Sequence, residues 1–190
     1  MIQRRLSVAL AALAILGLTA CREEIATRPD PVQMTAEAVG FYCRMDIIEH
    51  DGPKGQVQLD GLPGALFFSQ VRDTVAYLHM PEQSHDIAVA YVQDMSGPAT
   101  WETPGPWIEA TSALYVLGSD ARGGMDAPEF VPFSDRTAAE AFAARHGGQI
   151  RPFAEITSAD VLAPTEPQES SDTPDDIADR LQKLSDGPQG

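Results

Sequence analysis

Between residues 38 and 162 short apolar runs are separated by turn-forming residues, and the order of the runs comes twice. In the first pass "GQVQLD" and "GALFF" read as short strands, "SQVRDTVAYLHM" as a helix and "DIAVAYVQDM" as a strand rich in β-branched and aromatic residues. In the second, "SALYVLGS" and "EFVPF" read as strands, "SDRTAAEAFAARHGG" as a helix and "GQIRPFAEI" as a closing strand. The helices begin alike, "FFSQVRD" against "PFSDRTA", with Ser69 and Ser134 placed to cap their first turns. Gly147 and Gly148 stop the second helix. Strand, strand, helix, strand, repeated, predicts an α+β fold of two similar small halves, 38–98 and 114–162, each an antiparallel sheet covered by one helix. The linker 99–113 is rich in proline and glycine but carries Trp101 and Trp107, which are expected to pack the halves together.

Outside that region the pattern changes. The N-terminus has two arginines, an apolar run from Leu6 to Leu18, and then "LTAC". A run of about 13 apolar residues is too short to span a bilayer, which takes roughly 20, so residues 1–20 read as a secretory signal. The ending resembles a bacterial lipobox, which makes Cys21 the lipidated first residue of the mature chain and 21–37 a polar tether. The chain is then expected on the periplasmic side of the cell envelope, held to the membrane by lipid. From Ala163 the sequence carries seven acids, two bases and four prolines, and 163–190 reads as a disordered acidic tail. Within it "TPDDIADRLQKL" has a capping Thr173 and apolar Ile177, Leu181 and Leu184 at helical spacing, which suits one short helix.

Charge narrows the partners. The whole chain carries −15, and loss of residues 1–20 removes Arg4, Arg5 and no acid, leaving −17. Nucleic acid is not expected, because phosphate binding needs a basic face. No nucleophile elbow, phosphate loop, dinucleotide glycine fingerprint or Cys-x-x-Cys is present, so the sequence offers no local enzymatic constellation.

Lipidation of Cys21 leaves Cys43 without an intramolecular partner in an oxidising compartment. Such a thiol is buried, reactive or metal-bound. Beside it in "FYCRMDIIEHDGPKGQ" stand Met45 and His50, and Met80, Met95 and Met125 follow. Thiolate and thioether sulfur prefer soft ions, which points to Cu(I), with imidazole able to join. If 41–47 is extended, Cys43 and Met45 project to one side. Met125 in "RGGMDAP" would supply a third sulfur, its glycines freeing the backbone to close over an ion. His79 and Met80 are weaker candidates. Two readings stand against metal binding: a structural or adaptor lipoprotein of a membrane assembly complex, and a thiol-dependent enzyme using Cys43.

Taken in order, "FYCRMDIIEHDGPKGQ", "FFSQVRDTVAYLHMPEQ", "VAYVQDM", "WIEATSALYVLGSDARGGMDAPEFVPF" and "AAEAFAARHGGQIRPFAEI" resemble the NosL family of lipoprotein accessory factors of nitrous oxide reductase. The resemblance spans about residues 38–157. It implies a non-enzymatic Cu(I) metallochaperone serving denitrification, which delivers copper to the apo-reductase with the help of an ABC-type membrane complex. It also implies two similar α+β halves. The family's Cys-Gly-Met segment falls on Cys43, Arg44 and Met45, and its glycine-flanked methionine on Met125. Arg44 departs from the family glycine, losing backbone freedom and adding a positive charge. Gly52 to Lys54 match a frequent "GPK". Gln93 stands where relatives often have histidine, which leaves His50 as the expected imidazole beside Cys43, Met45 and Met125.

Overall fold

The computed structural model describes residues 28–80, 85–163 and 182. The signal segment, Cys21 with tether residues 22–27, and the tail from 164 onward lie outside the described residues, apart from Gln182.

Gln56 and Gln58 alternate with Val57 and Leu59, and strand β1 (Gly55–Leu59) forms there, paired antiparallel with β2 (Leu66–Phe68) on one edge and β3 (Ile87–Gln93) on the other. Helix α1 (Val71–His79) connects β2 to β3 and buries Val71, Val75 and Tyr77. The second half repeats the plan. β5 (Leu114–Ser119) is central between β6 (Val131–Phe133) and β7 (Gly147–Pro152), both antiparallel to it, with helix α2 (Arg136–His146) between β6 and β7. The expected repeat of two antiparallel sheets with one helix each is therefore present.

Three local expectations are corrected. The linker is not strand-free: Trp107–Glu109 forms β4, which pairs antiparallel with β3 and extends the first sheet to the order β2-β1-β3-β4. Neither serine caps its helix. At α2 the cap is Asp135, whose carboxylate accepts the Ala138 N–H at 2.8 Å. Ser134 instead donates its hydroxyl to Asp94, whose other oxygen accepts the N–H groups of Ser96 and Ser134, so Asp94 joins the end of β3 to the start of α2. At α1 the cap residue is Gln70, without a side-chain cap bond; the free N–H groups of Val71 and Arg72 donate to the Glu129 carboxyl group at 3.1 and 2.8 Å. A helix of the first half is thus finished by an acid of the second.

The halves share one core. Val57, Phe68, Val75 and Val92 pack in the same cluster as Tyr115, Leu117 and Phe130. Along β5 alternate residues face opposite ways, so Val116 instead joins Val131, Phe133 and Phe142 under α2. The second sheet is covered on both faces. A further helix, α3 (Ser158–Leu162), starts on a Thr157–Asp160 capping box and is tied to α1 by the Arg72 guanidinium, which donates to the carbonyls of Val161 and Ala163. Trp101 spans the halves as expected: its carbonyl accepts the Gly52 N–H at 2.7 Å and its indole N–H donates to the Arg122 carbonyl at 3.1 Å. Trp107 belongs to the first sheet instead.

Candidate metal-binding site

Cys43 lies on a closed turn and not on an extended strand. Residues 41–43 turn, and Arg44 adopts φ +59, so Cys43 and Met45 do not share a strand face as expected. The Gly40 N–H donates to the Met45 carbonyl and the Arg44 N–H to the Gly40 carbonyl, both at 2.9 Å. Val39 and Asp46 pair antiparallel below the turn, and Ile47, fully buried, pins its far end. The Phe41 N–H donates to the Phe67 carbonyl at 2.6 Å, which fixes the turn to the edge of the first sheet.

This geometry explains two residues. A side chain at Gly40 would put its Cβ 2.3 Å from the Cys43 sulfur, so the thiol packs directly over the Gly40 backbone. Arg44 occupies the left-handed region where an L-residue pays a steric penalty, which is the conformation the family glycine suits. Cys43 is a free thiol, half-buried, while Met45 is 43% exposed. Aromatic rings back the turn: Phe41 meets Phe68 and Tyr77 edge-on, and the Tyr42 hydroxyl donates to the Met80 sulfur at 3.6 Å. The Met80 thioether is therefore already engaged. His79 stacks on Phe153.

His50 connects this region to the second half. Its Nδ1–H donates to the Gly124 carbonyl at 2.8 Å, since a carbonyl can only accept. In the neutral ring that places the lone pair on Nε2, which is buried and has no hydrogen-bond partner among the described residues. The next residue, Met125, is 42% exposed, and its N–H donates to the Gln70 side-chain carbonyl at 3.4 Å. Gly123 and Gly124 allow close approach here. A Cβ on Gly124 would lie 2.6 Å from that of His50, and one on Gly123 2.6 and 2.7 Å from Glu129 and Gln70 oxygens.

Behind the loop sits a buried polar pair that sequence reading missed. Glu129 is fully enclosed and accepts from Val71, Arg72 and Phe130, yet burial pushes its carboxyl up to about 8. Lys54, 4% exposed, donates to the Gly52 carbonyl, and burial pulls its ammonium down to about 8 against the attraction of Glu129 and Asp51. The lysine of "GPK" is thus a buried group of the scaffold. Its only sequence signal was its place beside a turn glycine: Gly52 has φ +85 and lies under the Trp101 ring. Gln93 is likewise occupied, its side-chain carbonyl accepting the Lys54 N–H at 2.9 Å.

Among the described residues no three of His, Cys, Asp and Glu gather as a metal site. A metal here would have to take thioethers as well, and thiol, thioether and imidazole donors suit a soft ion better than a hard one. The family model of NosL matches residues 31–161, which include both sheets and every candidate ligand. The chain belongs to the NosL family. A copper-binding lipoprotein NosL from Achromobacter cycloclastes is 52% identical over 165 residues, 85% of this chain and 86% of that protein. The copper-binding lipoprotein NosL of Stutzerimonas stutzeri is 36% identical over 159 residues, 79% of each. The crystal structure of the copper chaperone NosL from Shewanella denitrificans aligns with a TM-score of 0.64 at 34% identity, over 69% of this chain and 98% of that one. The two-sheet NosL fold and the predicted one are the same.

Proposed function

We propose that the protein is a Cu(I) metallochaperone that delivers copper for the maturation of nitrous oxide reductase, with Cys43, Met45, Met125 and His50 as ligands. The observation that carries the reading is the bond from His50 to Gly124, which ties the segment following the Cys43 turn to the loop bearing Met125 and leaves Nε2 unpartnered. A buried acceptor without a partner costs about 1–3 kcal/mol, a cost a metal ion would offset. The copper binding named for the relatives supports the same cargo. Cys43 supplies the anionic ligand, and the thioethers are neutral, exposed and exchangeable one at a time with ligands of the recipient, which suits transfer over storage. No chemical step is required, so the protein acts without catalysis.

The lipobox cysteine Cys21 anchors the chain by lipid on the periplasmic side of the envelope, where it meets the apo-reductase and an ABC-type maturation complex. The test is anaerobic Cu(I) titration of the mature chain against a chelator, beside Cys43→Ser, Met125→Ala and His50→Gln. Wild type is expected to withdraw copper from the chelator, Cys43→Ser to lose nearly all of that capacity, and the other two to weaken it by roughly tenfold, about 1.4 kcal/mol each. Equal and poor competition by all four proteins would sink the proposal.

A further inference from the structure

The turn that carries Cys43 and the loop that carries Met125 are held by one short stretch of chain, the junction between β2 and α1. The Phe67 carbonyl accepts the Phe41 N–H and fixes the Cys43 turn. Three residues later the side-chain carbonyl of Gln70 accepts the N–H of Met125 itself, at 3.4 Å. Three residues of chain span at most about 11 Å, so the two handles sit close together.

Gln70 is 5% exposed, and a buried amide needs its hydrogen bonds. Both ends of it are engaged, the carbonyl by Met125 and the amide N–H by the Asp73 carboxylate. A carboxylate only accepts, so Asp73 keeps the nitrogen on its own side and the oxygen toward the Met125 loop. The loop is a closed turn in its own right: the Asp126 N–H donates to the Gly123 carbonyl at 2.9 Å and the Gly123 N–H to the Ala127 carbonyl at 2.8 Å. It meets the start of α1 without a gap. A Cβ on Gly123 would lie 2.7 and 2.8 Å from the Gln70 oxygen and Cβ, and one on Gly124 2.8 Å from the Ser69 carbonyl oxygen. His50 holds the same turn through the Gly124 carbonyl, but His50 is itself a candidate ligand. Gln70 is the holder that offers the ion nothing.

We propose that Gln70 is a positioning residue for copper: it fixes the backbone of Met125 relative to the Cys43 turn and so sets the affinity of the site without touching the ion. This rests on the chaperone reading above, with Met125 as a ligand. The test takes two measurements on the mature chain. In the copper-free protein, Gln70→Met keeps the side-chain length and removes the acceptor; amide exchange at Met125 should quicken while Val71 and Arg72, held by Glu129, keep their protection. In anaerobic Cu(I) competition against a chelator, Gln70→Met should bind about tenfold more weakly, close to Met125→Ala, and the double variant no more weakly than either. A role in the fold alone would add its loss to that of Met125→Ala. Gly123→Ala, which presses a Cβ into the Gln70 contact from the loop side, should show the same pattern. A Met125 amide that Gln70→Met leaves unchanged, or losses that add in the double variant, overturns the proposal and leaves the chaperone reading intact. Poor competition by the wild type sinks the chaperone reading, and the positioning role with it.

Discussion

Arg44 is the residue at which sequence and backbone disagree most visibly. At φ +59 it holds a conformation that costs an L-residue roughly 1–2 kcal/mol, between two hydrogen bonds that close the Cys43 turn. Replacing it by glycine removes that penalty at the cost of extra entropy in the unfolded chain, so Arg44→Gly is expected to stabilise the protein by up to about 1 kcal/mol in urea unfolding. A lower midpoint would mean that the guanidinium makes a contact worth more than the strain. The residue types of the candidate site were readable because sulfur chemistry is local: a lone thiol beside a thioether says what ion it prefers wherever it points. Its geometry was not. Whether 41–45 is strand or turn depends on bonds from Gly40 to Met45 and from Phe41 to Phe67, and the state of His50 depends on a carbonyl 74 residues away.

At the scale of elements, alternation and helical spacing located every strand and helix of the repeat, because each buries apolar residues of a short segment in one of the two clusters. What escaped were features fixed from outside the segment. β4 is three residues between prolines and turns, and it becomes a strand only because β3 offers it an edge. The start of α1 looked serine-capped, yet its donors are satisfied by Glu129. The Thr157–Asp160 capping box of α3 was written locally as "TSAD" and was legible in principle. Glu129→Ala leaves the three N–H groups of Val71, Arg72 and Phe130 without their acceptor, and is expected to cost roughly 3 kcal/mol. Hydrogen exchange reads this directly: the amides of Val71 and Arg72 should lose protection before those of the sheets. Uniform loss across the chain would mean that the carboxylate matters for the whole core and not for the helix start.

At the scale of the molecule, the shared core makes stability respond to the two buried charges together. Glu129 holds its proton up to about pH 8 when folded and releases it near 4.5 when unfolded, so its contribution is full at low pH and is lost as pH rises toward 8. Lys54 behaves in the opposite sense. Folded, it loses its proton near 8, unfolded only near 10.5, so above pH 8 the unfolded state binds more protons and stability recovers. Urea unfolding between pH 5 and 9.5 is therefore expected to pass through a minimum near pH 8, and Glu129→Gln should abolish the decline on the acidic side. A curve that rises steadily from pH 5 to 8 would reverse the assignment for Glu129.

The carboxyl group that finishes α1 has a consequence in time. It lies 57 residues after Arg72, with β3, the linker and β5 in between. A chain emerging from its N-terminus has the sequence of its first half complete while the donors at Val71 and Arg72 still face water. The duplicated plan looks like two modules, but the start of the earlier one's helix is completed only by a residue of the later, a contact of long sequence separation of the kind that slows folding.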